Sequence, residues 1–153
     1  DWVVLALKEA GIIVLITGAG GAFGAVLRVV DLASVLGLES NFMGSGLCIA
    51  FFIASILKTA QGSSTVAIIT TAAIMAPLLD SLGLESSVSK ACTVLAIGAG
   101  AMTVSHINDS YFWVVSQFSN MDVKTALKSQ TIATFFQGLT GLLLVLGLQY
   151  FFG

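Results

Sequence analysis

Ser105-His106-Ile107-Asn108-Asp109-Ser110-Tyr111-Phe112-Trp113 decides how the rest of the chain is read, because it sets ionisable and polar side chains inside an apolar run. No formal charge lies between Lys90 and Asp109, and the one histidine of the chain falls there. After Asp109 the sequence turns apolar again through Tyr111, Phe112, Trp113, Val114 and Val115. In lipid an Asp at a helix centre costs about 2.5–3.5 kcal/mol. Such residues face a protein interior or a water-filled cavity, so a transport site is the first hypothesis.

Composition puts that stretch in a membrane. The chain is 57% hydrophobic and 9% charged, with a mean hydropathy of +1.02; a soluble domain carries about 25% charged residues. The formal net charge of -2 supplies no basic patch for nucleic acid. Cys48 and Cys92 lie in apolar runs and suggest neither a disulfide framework nor a metal site. No cofactor motif with a supporting context is present. Asp1-Trp2 stands where an initiator Met would, and the apolar pattern continues without a basic n-region. We read the chain as one continuous membrane unit, residues 1–153, starting in the middle of a longer protein.

Charged residues divide it into elements. The reading is a helix over 3–30, a hairpin over 42–79 with its tip at 61–65, an interrupted helix over 90–118 and a last helix over 129–152, each judged against a hydrocarbon core of about 30 Å. Asp122, Lys124 and Lys128 form a loop in this reading. Two lysines in a short loop place it in the cytoplasm, which sends the last helix outward. The Gln61–Thr65 turn has two readings. It is either an interfacial loop between two full spans, with Lys58 snorkelling, or a re-entrant tip lining a cavity.

Each motif carries a bland alternative. Thr17-Gly18-Ala19-Gly20-Gly21-Ala22-Phe23-Gly24 matches the glycine turn of short-chain dehydrogenases. No Tyr-x-x-x-Lys pair accompanies it, and small residues at Gly20 and Gly24 equally suit close helix packing in lipid. Gln61, Ser63, Ser64 and Thr65 offer an amide and three hydroxyls to a polyhydroxylated solute; the plain reading is a capped turn with Ser64 or Thr65 as N-cap. His106 and Asp109 stand three apart, so on one helical turn they would pair and could carry a proton. Otherwise they are a static polar plug. Lys58 and Arg28 are the basic candidates for a carboxylate, Arg28 being the better candidate for snorkelling. Tyr111-Phe112-Trp113 is most simply core or an interfacial belt.

Three segments together resemble the gluconate permease family, proton-coupled sugar-acid transporters of the ion transporter superfamily. They are Gly18–Arg28, Lys58–Ala67 and Ser105–Ser110 followed by Phe112-Trp113. The family pattern commonly has Gly where this chain has Tyr111, which bears on pocket shape. The resemblance implies an all-α polytopic membrane protein, this chain being the C-terminal part of a longer permease and one inverted-repeat half with a re-entrant hairpin and a broken transmembrane helix.

On that reading the protein sits in the inner (plasma) membrane, multi-pass, and imports gluconate or a related sugar acid with protons. Gln61, Ser63, Ser64, Thr65, Asn108 and Ser110 bind the hydroxylated acid, and Lys58 meets its carboxylate. Asp109 and His106 serve proton coupling. No enzyme activity, cofactor, metal or nucleic acid is expected. The partners are the sugar acid, protons, the lipid bilayer and a missing N-terminal repeat of the same protein, and a homodimer is compatible. A sodium-coupled carboxylate carrier, a nucleotide-binding oxidoreductase and a non-transporting packing module are the alternatives.

Overall fold

The computed structural model describes residues 2–8, 10, 11, 14, 15, 18 and 45–153. Apart from Gly18, the Thr17–Gly24 motif and Arg28 lie outside the described residues. From Ser45 onward every regular element is helical: α1 (Ser45–Gln61), α2 (Ser64–Met75), a 3-10 turn (Ala76–Leu78), α3 (Ser87–Ala101), α4 (Ser110–Phe118), α5 (Val123–Ala126), a π-helical turn (Leu127–Thr131) and α6 (Ile132–Phe152).

Short polar side chains start these helices. Ser63 accepts from the Val66 N–H, Ser86 from Ser89, Asp109 from Tyr111 and Asp122 from Thr125. Each satisfies one of the orphan donors of a first helical turn. The cap of α2 is therefore Ser63, one residue before the pair the sequence suggested. Gly62 takes a φ of 72°, which ends α1 so tightly that the two-residue turn Gly62-Ser63 suffices. A second difference lies at residues 122–128. Because Asp122 caps Val123, the stretch read as a loop is helical and continues through the π turn into α6.

α3 packs against both α1 and α6. Its buried Cys92, Ala96, Ile97 and Ala101 join Leu47, Ala50 and Ala54 of α1, Ala67 and Met75 of α2, and Val145 of α6 in one apolar cluster. Small residues bring the backbones close. A Cβ at Gly100 would run into the Phe51 carbonyl, and one at Gly138 into the Thr103 hydroxyl; this is the close approach that binds helices where lipid supplies no hydrophobic drive. The outer faces carry large exposed apolar side chains, among them Phe52, Ile56, Val94, Phe136, Leu143 and Leu144. Water would not tolerate so broad an apolar surface.

Among the described residues one continuous helix, Val123–Phe152, is long and apolar enough to cross a membrane. α1 has 17 residues and α2 has 12, so they reach about 26 and 18 Å. Between α3 and α4 the chain leaves helical geometry over residues 102–109. Val104 sits there at a φ of 53°, a left-handed conformation costly for a β-branched residue and characteristic of functional backbone.

Candidate functional site

The tip between α1 and α2 meets the break between α3 and α4. Asn108 Nδ2 donates to the Thr59 carbonyl at 2.8 Å and to the Ala60 carbonyl at 3.4 Å, and His106 Nε2 lies 3.1 Å from the same Thr59 oxygen. These side chains occupy carbonyls freed at the end of α1, which would otherwise lack donor partners. Asn108 also comes so near Gly62 that a Cβ there would strike its backbone carbonyl. From the other side α6 holds the break. The Ser105 N–H donates to Thr134 Oγ1 at 3.0 Å, and Thr131 Oγ1 donates to the Ser105 carbonyl at 2.6 Å. Thr131 closes the π turn, a distortion frequent at functional sites. The Trp113 indole N–H donates to the Ile107 carbonyl at 2.7 Å and closes the loop locally.

Inside this frame two charges meet. Lys58 Nζ stands 2.6 Å from Asp109 Oδ2, with the side chains 2% and 6% exposed. Lys58 lies in the last turn of α1 and Asp109 caps α4, so each charge sits at the helix end whose dipole favours it. The Ser105 hydroxyl donates to the same Oδ2 at 2.5 Å, while Oδ1 accepts the Tyr111 N–H at 3.0 Å. Nζ has a long contact of 3.5 Å to the Gly62 carbonyl. A charge pair this dry holds only with good geometry and satisfied neighbours. The pair lies on the wall of a cavity of about 250 Å³ lined by Lys58, Ser64, Met102, Ser105, Asp109, Tyr111 and Thr134.

The residues singled out from sequence divide accordingly. Lys58, Ser64 and Asp109 are brought together at the cavity. Ser63 serves as the α2 cap and Asn108 as the clamp on α1. Gln61, Thr65 and Ser110 are exposed at the same end of the bundle without lining the cavity. His106 does not pair with Asp109 through its ring. Residues 106–109 form a turn in which the Asp109 N–H bonds the His106 carbonyl at 2.8 Å, so the helical spacing that would have stacked them is absent. Sequence reading missed Ser105, Met102 and Thr134 as lining residues. Ser105 could have been found from its place at the start of the polar run. Thr134 is one of several hydroxyls in α6, and nothing local separates it from Thr140.

A model of the GntP family permeases matches residues 1–151. The chain belongs to that family. It is 38% identical over 92% of its length to a gluconate permease of Pseudomonas aeruginosa, covering 31% of that protein. With the D-serine transporter DsdX of Escherichia coli K12 it shares 38% identity over 85% of its length and 29% of the relative. With the inner membrane permease YgbN of the same organism the figures are 37%, 91% and 30%. The chain thus spans about three tenths of the curated relatives it matches. No solved structure matches it. Membership in a permease family makes this chain part of a membrane protein and sets it among permeases rather than enzymes; among the described residues its regular elements are all helical. The oxidoreductase reading of Thr17–Gly24 falls with that.

Proposed function

We propose that this segment is the C-terminal part of a secondary active transporter that moves a small hydroxylated carboxylate, gluconate or a chemical relative, across the inner membrane with protons. The observation that carries the reading is the buried Lys58–Asp109 pair on a cavity whose other polar lining is hydroxyl: Ser64, Ser105, Tyr111 and Thr134. An ammonium matches a carboxylate, and clustered hydroxyls match a polyol or a hydroxylated amino acid. Relatives named for gluconate and for D-serine fit that chemistry, since gluconate joins a carboxylate to several hydroxyls and serine joins one to a single hydroxyl.

In this proposal α1 and α2 form a re-entrant hairpin, α3 and α4 the two halves of a broken transmembrane helix, and the chain crosses the membrane several times. α2 with the 3-10 turn that continues it, Ser64–Leu78, reaches about 24 Å, short of a hydrocarbon core of about 30 Å, which supports the hairpin. Lys58 receives the carboxylate, and Ser64, Ser105 and Thr134 the hydroxyls. Gln61, Thr65 and Ser110 meet the far end of the solute, where the rest of the permease closes the site. Ser63 and Asn108 keep the two tips in register, His106 supports Asn108, and Asp109 carries the proton.

The test is uptake of labelled gluconate and labelled D-serine by proteoliposomes containing the complete permease, with and without an inward proton gradient. Gradient-driven uptake of either solute is expected. Accumulation that follows sodium and ignores the proton gradient would move the reading to the sodium-coupled carrier. Folded protein that takes up no hydroxylated carboxylate would end it.

A further inference from the structure

The cavity holds one cation and one anion, and they are bound to each other. Among the described residues Lys58 and Asp109 form the one ion pair, and the other titratable groups nearby stand apart from it. The His106 ring lies against the Thr59 carbonyl, and Tyr111 lines the cavity without a hydrogen bond from its phenol to either charge. A carboxylate entering this space meets an ammonium already neutralised. Two carboxylates beside one buried ammonium would leave an uncompensated negative charge, which a dry site strongly disfavours.

Ser105 provides a way out. Its hydroxyl lies 2.5 Å from Oδ2, the oxygen that faces Lys58. A hydroxyl both donates and accepts, so when Oδ2 gains a proton this contact can reverse, with Oδ2–H donating to Ser105 Oγ. The Tyr111 N–H still satisfies Oδ1. The proton on a neutral Asp109 therefore has an acceptor, the Ser105 O–H turns from Oδ2 toward the cavity it lines, and Lys58 is freed.

We infer that the substrate carboxylate replaces Asp109 as the partner of Lys58, and that a proton on Asp109, held by Ser105, is the condition for the exchange. The inference rests on the proposed transport reading and adds its coupling step. The proton enters through the cavity to Oδ2. Lys58 leaves Asp109 for the incoming carboxylate, and the loaded site has the net charge of the empty one. On the far side the carboxylate departs, Asp109 loses its proton to that side, and the pair re-forms. One proton travels with each monoanion.

The test uses the complete permease in detergent and in proteoliposomes, with gluconate as probe. In weakly buffered solution the wild type takes up about one proton per gluconate bound, and over the pH range of that uptake its apparent affinity falls about tenfold per unit rise in pH, as linkage requires. Asp109→Asn keeps a good N-cap while imitating the protonated state. It is expected to bind gluconate with no such pH slope and to exchange gluconate across the membrane, yet to lose gradient-driven accumulation. Lys58→Gln combined with Asp109→Asn leaves no buried charge unpaired and is expected to bind gluconate at least tenfold more weakly than Asp109→Asn alone. Wild-type gradient-driven uptake with no proton taken up on binding would overturn the exchange while leaving the transport reading intact. So would an Asp109→Asn variant with the wild-type slope, or a double variant that binds like the single one. Wild-type protein that takes up no carboxylate removes both. The proton count needs no variant and decides the matter even where Asp109→Asn fails to fold.

Discussion

α3 has a polar cluster at each end, and the two are built differently. At its C-terminal end the charges of Lys58 and Asp109 meet beside a cavity. At its N-terminal end, 15 residues away or about 22 Å along the axis, Gln149 of α6 donates to Ser89 Oγ at 2.9 Å, and Ser86 does the same at 2.9 Å. Lys58 and Asp109 at one end and Ser89 and Gln149 at the other are all buried, while Ser86 is exposed. The second cluster has no charge and none of its residues lines the cavity at the other end. It joins the start of α3 to the end of α6, which is what neutral side chains do between helices in lipid. Polarity inside a membrane protein is thus no sign of a site by itself. A charge pair, strained backbone and an adjoining cavity are what separate the two ends.

Removing one charge is the harshest way to break that contrast. Lys58→Met leaves Asp109 buried and unpaired, with an expected loss of about 3–5 kcal/mol, read as thermal unfolding in detergent, and with uptake abolished. Adding Asp109→Asn should recover most of the stability and none of the uptake. A single Lys58→Met variant as stable as wild type would show that the pair is not as dry as its exposure implies.

Gly62→Ala tests the same end through its backbone. The φ of 72° suits glycine, and an added methyl meets the Asn108 carbonyl. Left-handed geometry alone costs about 1–2 kcal/mol, and separating the two tips adds to it. Destabilisation above about 2 kcal/mol with weakened gluconate binding is expected; normal binding would detach the α1–α2 tip from the site.

At the opposite end Gln149→Leu should be nearly silent. Side-chain hydrogen bonds between membrane helices average about 0.6 kcal/mol, and Gln149 Oε1 has no partner to lose. Stability within about 1 kcal/mol of wild type and unchanged uptake are expected. Loss of uptake in a stable Gln149→Leu protein would make this cluster part of the machinery.

The smallest effect belongs to Asp122, outside the apolar core. Hydrogen bonds from the side chain and N–H of Thr125 hold its carboxyl below its ordinary value. A carboxylate with a lowered folded pKa adds stability that is present above its unfolded value and is lost as pH falls through the folded one. Amide exchange at Thr125 should therefore quicken, relative to its neighbours, in acid. In Asp122→Ala it should be fast at every pH.

Much of the architecture was legible along the chain. Low charge and long apolar runs require lipid, because no soluble core could bury so much of the surface. Ser63, Ser86, Asp109 and Asp122 are local start signals, although the cap of α2 was misplaced by a residue and Asp122 was read as loop. Boundaries drift because neighbouring Ser and Thr side chains compete for the same N–H. At the site, Lys58 and Asp109 stood out as charges in apolar surroundings, but their spacing implied a partner for Asp109 at His106 rather than at Lys58.

Sequence alone determined what must be hidden from lipid, which follows from solvation, and where the apolar run of residues 90–118 is interrupted, which follows from the polar side chains set in it. Tertiary structure decided which hidden groups meet. Lys58 and Asp109 belong to separate helices, and the packing of α3 against α1 brings them together. Thr134 reaches Ser105 across 29 positions because Gly138 lets α6 close on Thr103. Partners so far apart in the chain share no periodicity that could announce them, and the free energy that joins them comes from packing the helices between.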